Sequence, residues 1–118
     1  MPETAVVPAM PLSLRSFVHE EATVVRCTGE LTSSSSGFLK TCVKGVLPDT
    51  KRVILDFARL NRIDSSGLGA IVGLYISAKQ AGRSLEIVNL SPRVRELFGL
   101  TNLLSVFEAC AHYGARLP

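Results

Sequence analysis

The sequence predicts a small α/β domain with one mixed β-sheet of about five strands, covered by amphipathic helices in the order β-β-α-β-α-β-α-β. Three observations carry this. Near the N-terminus, two short β-type segments flank the polar turn His19-Glu20-Glu21, as in a hairpin. Beyond it, helical spacings alternate with short apolar runs such as VILDF, Val53 to Phe57. That alternation implies parallel strands joined by right-handed crossovers. Finally, 118 residues with 6% aromatics and no Trp suffice for one mostly aliphatic core.

The elements follow in order. Residues 1–10 form a flexible lead-in, and the domain proper spans 11–118. Leu12, Leu14 and Val18 fall on one side of an alternation, with Ser13 and Arg15 on the other. This predicts a strand with one wet face. Thr23 to Thr28 is the second strand. Gly29-Glu30-Leu31 then leads to Thr32 and the run Ser33 to Ser36, which reads as a set of competing helix N-caps. Phe38, Leu39, Cys42, Val43 and Val46 form the inner stripe of a first helix, with Lys40 and Lys44 outside. Pro48-Asp49 breaks it. Val53 to Phe57 is nearly all apolar, as in a central strand buried on both faces. A short polar turn follows. Leu68, Ile71, Val72, Tyr75 and Ala78 make the inner stripe of a second helix, which Gly82 closes. Leu85 to Leu90 is a strand, and Ser91-Pro92 starts a third helix. Val94, Leu97 and Phe98 face inward there, and Gly99 ends it. A short last strand is expected around Val106-Phe107.

Composition excludes several classes. The hydrophobic share of 47% and charged share of 19% are globular values. The net charge of +3 comes from scattered basic residues, without the aromatic interleaving of a nucleic-acid surface. Cys27, Cys42 and Cys110 lack the spacing of a zinc site, so no metal is expected. Cys27 and Cys42 read as small buried apolar residues in a reducing cytosol. The N-terminal segment lacks the pattern of a secretory signal, and no apolar stretch is long enough to span a bilayer. A cytoplasmic protein without membrane insertion is expected.

The segment richest in chemistry is IDSSGLGAIVG, Ile63 to Gly73. It sets Asp64, Ser65 and Ser66 at the start of a helix, where free N–H groups and the helix dipole favour a phosphate. Gly67, Gly69 and Gly73 do not form a dinucleotide fingerprint. They come too late after the strand, and no acid ends the next strand. A P-loop and a GxSxG elbow are absent. Neither His19 nor His112 has an acidic orienting partner, so Ser65 and Ser66 lack a catalytic base. No cofactor and no enzymatic activity are expected. A plain helix cap explains Asp64 and the serines but not three glycines, each costing ~1 kcal/mol relative to alanine within a helix. Close packing on the sheet or a smooth surface for a partner would justify them, and the residues alone leave both readings open.

Two long stretches, VILDFARLNRIDSSGLGAIVGLYISAKQAG and SLEIVNLSPRVRELFGLTNLLSVFE, resemble the STAS domain of bacterial anti-sigma factor antagonists. The resemblance runs from about Leu12 to Glu108. It implies that Ser65, directly after Asp64, is phosphorylated by a partner serine kinase that is itself the anti-sigma factor. A serine phosphatase would reverse the modification. Asp64, Ser66, Gly67, Leu68 and Thr32 would then contribute to partner binding, with no catalytic residues. The family often carries an acid where this chain has Thr32. Many members also end in an amphipathic helix, which is expected to be missing or very short here. The runner-up implied by the same resemblance is a STAS subunit of another system, a lipid-transport ABC complex or a stress-signalling scaffold. Such a subunit would bind protein or nucleotide without a phosphorylation cycle.

Overall fold

The structure is a computed structural model and describes residues 11–100, with side chains described up to residue 96. The lead-in 1–10, the strand expected at Val106-Phe107, Cys110 and the tail lie outside the described residues, as do the side chains of Leu97 and Phe98. The elements are β1 (Leu12–His19), β2 (Ala22–Leu31), α1 (Ser36–Val46), a 3-10 turn (Leu47–Asp49), β3 (Arg52–Ile63), α2 (Ser65–Gln80), β4 (Ser84–Val88) and α3 (Pro92–Leu100). The described sheet has four strands in the order β1-β2-β3-β4. β1 and β2 form the antiparallel hairpin, turning at Glu20, which has φ of +57°. β2–β3 and β3–β4 are parallel. The mixed α/β architecture therefore agrees with the reading of the sequence.

The helices share one face of the sheet. Leu39 and Val43 of α1, Leu68, Ile71, Leu74 and Ala78 of α2, and Val94 of α3 pack with Val25, Leu55, Phe57 and Ile87 of the strands. Cys27 belongs to this core, and burial pushes its thiol up to about 12, so it acts as an apolar side chain. A smaller cluster of Ala22, Val24, Ile54 and Val88, with Phe17 against it, lies on the opposite face.

Several expectations need correction. Val18 is 75% exposed, and Phe17 is the residue near the end of β1 that packs, on the second face. Phe38 is 44% exposed, so α1 packs mainly through Leu39 and Val43. The serine run does not cap α1 with a side chain. Ser35 is buried, its hydroxyl donating to the Glu30 carbonyl at 2.8 Å and accepting from the Thr32 N–H at 2.9 Å. The fourth strand stops at Val88, because Asn89 turns to φ of +62°.

The largest correction concerns β3. It does not stop at Phe57 but runs on to Ile63 through what reads as a polar turn. Its pairing with β2 shifts register twice, between Arg26 and Thr28 and between Gly29 and Glu30. Each shift is a bulge that places one extra β3 residue against β2, and so moves the pleat alternation by one. Phe57, Leu60 and Ile63 therefore all face the helices although they recur every third residue.

Other signals hold. Gly82 takes φ of +74° just beyond α2. Its N–H bonds to Lys79 and that of Arg83 to Ala78, the pair of bonds that defines a Schellman cap. Ser91 caps α3, accepting from the Val94 N–H at 3.2 Å.

Candidate functional site

β3 ends at Ile63, and Asp64 leaves the strand in extended conformation as the N-cap of α2. One carboxylate oxygen accepts from the Gly67 N–H at 3.0 Å. The other accepts from the Ser33 N–H at 3.3 Å. The Asp64 N–H in turn donates to the Leu31 carbonyl at 3.2 Å. One residue thus caps the helix and fastens the β2–α1 loop beside it. The bond from Gly67 is the main reason the Asp64 carboxyl is held below the usual range, helped by the Ser33 and Ser66 N–H groups and the charge of Arg62. Partial desolvation opposes the shift. Asp64 is therefore a fixed anion at neutral pH.

Ser65 opens α2 and is exposed, as is Ser66. Neither has a catalytic partner among the described residues. A Cβ on Gly67 would overlap the Leu31 carbonyl oxygen and come within 2.8 Å of Ile63 Cγ1. Gly67 therefore lets the helix start seat directly on the ends of β2 and β3. Leu68 is 8% exposed and belongs to the core. Gly69 and Gly73 meet nothing within 4 Å and are exposed. The three glycines thus divide, one for close packing and two on an open surface.

That surface continues along the helix. Ser66, Gly69, Gly73 and Ile76 are exposed at helical spacing, with Ile76 at 49%. No charged residue occurs in α2 before Lys79. Ile76 escaped the reading of the sequence. Its signal was an apolar residue off the inner stripe on a helix with no charged outer face. Thr32 lies in the loop that Asp64 fastens, and its hydroxyl pairs with that of Ser34 at 3.2 Å. The resemblance had grouped Thr32 with Asp64, Ser66, Gly67 and Leu68. The fold adds Ser33, whose N–H joins the Thr32 segment to Asp64 at the same end of the sheet.

The model of the STAS domain family matches residues 15–115 of the chain. The chain belongs to the STAS-domain family. Among its relatives is the anti-sigma F factor antagonist of Paenibacillus polymyxa, 26% identical over 99 residues, covering 82% of this chain and 85% of that one. An anti-sigma factor antagonist from Mycobacterium paratuberculosis has the same fold, with a TM-score of 0.73 at 21% identity over 81% of this chain and 82% of that chain. The anti-sigma factor antagonist SpoIIAA in its unphosphorylated form superposes with a TM-score of 0.60 at 25% identity, over 75% of this chain and 82% of its own. No helix among the described residues is long and apolar enough to cross a membrane, and no group of metal-ligating side chains occurs among them.

Proposed function

We propose that this STAS protein is an anti-sigma factor antagonist that binds an anti-sigma factor serine kinase and is switched off by phosphorylation of Ser65. The observation that carries the reading is the exposed Ser65 hydroxyl at the first turn of α2, beside a carboxylate locked in place by two backbone N–H groups. The family relationship supports it, since the Paenibacillus relative is named for antagonism of an anti-sigma factor.

The physics of the switch follows from the site. A phosphate on Ser65 adds about −1.5 to −2 charges next to the Asp64 carboxylate. The helix end returns only ~0.3–1 kcal/mol per exposed charge, so the modified chain stays folded. A partner packed over this spot would bury charge without a counter-ion, at a cost of several kcal/mol. A loss of about 4 kcal/mol weakens association roughly a thousandfold. Asp64, Ser66 and Thr32 would meet the partner directly. Gly67 and Leu68 would act from beneath, by holding the turn against the sheet. The uncharged strip through Gly69, Gly73 and Ile76 gives the partner a surface to approach closely. A serine phosphatase would restore the binding form.

Incubation with the cognate kinase and ATP tests the reading. One phosphate should appear and be lost in Ser65→Ala, and the phosphorylated protein should no longer co-elute with the kinase. Phosphate confined to Ser33–Ser36 would sink the assignment. Unchanged activity of Ser65→Ala with co-purifying transporter components would favour the ABC-complex alternative.

A further inference from the structure

The face of the sheet opposite the helices carries a cavity of about 620 Å³, whose lining includes Ser13, Arg15, Arg26, Thr28, Asp56 and Arg59. Its volume is in the range of small-molecule sites. The lining follows from register. Arg15, Arg26 and Asp56 form one row across β1, β2 and β3, and Ser13, Thr28 and Arg59 form the next. Arg59 reaches this face only because the first bulge in β3 shifts the alternation. In an unbroken alternation from Asp56, position 59 would point toward the helices.

The charges of the described residues in the cavity do not balance. Asp56 is fully engaged, accepting from Arg26 Nε at 3.2 Å, Asn89 Nδ2 at 3.0 Å and the Ala58 N–H at 3.0 Å. Arg26 is further fixed by the Phe17 ring, 4.8 Å from its guanidinium carbon. Arg15 and Arg59 form no ion pair or side-chain hydrogen bond among the described residues. Arg15 also stands directly opposite Arg26, and like charges facing each other across antiparallel strands are destabilising. Among the described residues, three guanidiniums thus face one carboxylate, a preformed excess of positive charge with hydroxyls beside it.

We propose that this cavity binds a small soluble organic phosphate, with the phosphoryl group between Arg15 and Arg59. Guanidinium forks match phosphate oxygens geometrically, the Ser13 and Thr28 hydroxyls supply further donors, and the volume leaves room for an organic moiety. Ser65 takes no part, so this site does not depend on the phosphoacceptor reading.

The test is titration of the full chain with ribose 5-phosphate, inorganic phosphate and ribose, followed by backbone amide shifts and calorimetry. Both phosphates should shift the amides of Ser13, Thr28 and Ala58 saturably, and ribose should not. Arg15→Gln and Arg59→Gln should each weaken ribose 5-phosphate binding by roughly ten- to hundredfold, the loss expected for one charged hydrogen-bond partner. Arg95→Gln, an exposed change on α3, should leave it unaltered. The proposal is overturned if neither phosphate moves those amides at millimolar concentration. Equal binding by the Gln variants, or association only with phosphatidic-acid vesicles, would overturn it as well. Should a Gln variant fail to fold, the shift map of the unaltered chain decides.

Discussion

Gly67→Ala, Gly69→Ala and Gly73→Ala are chemically identical changes in one helix, and they should move stability in opposite directions. At Gly67 the new methyl meets the Leu31 carbonyl oxygen and the Ile63 side chain, the former being backbone that cannot swing away. Relieving such an overlap costs ~1–3 kcal/mol in a packed region. The gain from replacing glycine in a helix is ~1 kcal/mol at most, and smaller in the first turn. A net loss of about 1–2 kcal/mol is expected for Gly67→Ala from these two contributions. At Gly69 and Gly73 the methyl enters open space, so only the helix gain remains, about 0.5–1 kcal/mol each. Urea unfolding followed by far-ultraviolet circular dichroism measures all three. A Gly67→Ala midpoint equal to or above the parent would refute the close-packing argument. Destabilisation by Gly69→Ala would refute the open-surface argument. If the partner lies along this strip, the two stabilised variants should still bind it more weakly, the trade expected where a surface is kept bare for function.

Two further outcomes follow from the charged pairs. Arg52 holds the buried Glu86 carboxylate through bonds of 2.6 and 3.1 Å. Arg52→Met should cost about 2–3 kcal/mol, below the ~3–5 kcal/mol of a fully buried pair because the Arg52 side chain is 36% exposed. The double change Arg52→Met/Glu86→Leu should recover most of that loss in a thermal melt, and a double variant no better than the single would contradict it. The second concerns pH. The Asp64 carboxyl is held below its ordinary value in the folded chain, so the folded state binds its proton less readily than the unfolded one. Its contribution to stability is complete above about pH 4, the unfolded range, and fades as pH falls through the lower folded value. Asp64→Asn should flatten this part of the stability–pH curve. An unchanged acid limb would show that the cap bonds are not formed in solution.

The order of elements was legible because each helix after the hairpin has its own start or stop in the sequence. As helix caps, Asp64, Gly82 and Ser91 act through bonds between residues no more than five positions apart, and short-range chemistry of that kind can be read without a fold. Long-range chemistry cannot. Ser35 looks like a cap, yet its hydroxyl bridges the Glu30 carbonyl and the Thr32 N–H because Ser35, alone of the serine run, is buried at the end of β2. Asp56 and its partners Arg26 and Asn89 lie 30 and 33 positions apart, and only strand pairing joins them. β3 was cut short for a different reason. Its bulges give Phe57, Leu60 and Ile63 a spacing of three, which matches neither a strand nor a loop. At the candidate site, Asp64 and Ser65 stood out as a helix start. The two roles of the three glycines did not separate until the ends of β2 and β3 were seen beneath Gly67.

The two bulges also make the strand tolerant of lost length. Between Phe57 and Asp64 it carries two more residues than its partner needs. Remove Ala58 alone and the first bulge closes, with Asp56, Phe57 and Arg59 pairing in succession with Arg26, Cys27 and Thr28. Arg59 would keep its face, Ile63 would still point into the core, and Asp64 would still reach the Ser33 loop. Remove Leu55 instead, in the regular part of the strand, and the residues on one side of the gap fall out of phase with the core. The Ala58 deletion should therefore be the better tolerated of the two. The extra residues are slack in the strand: pairing, and not length, decides which way the serine faces.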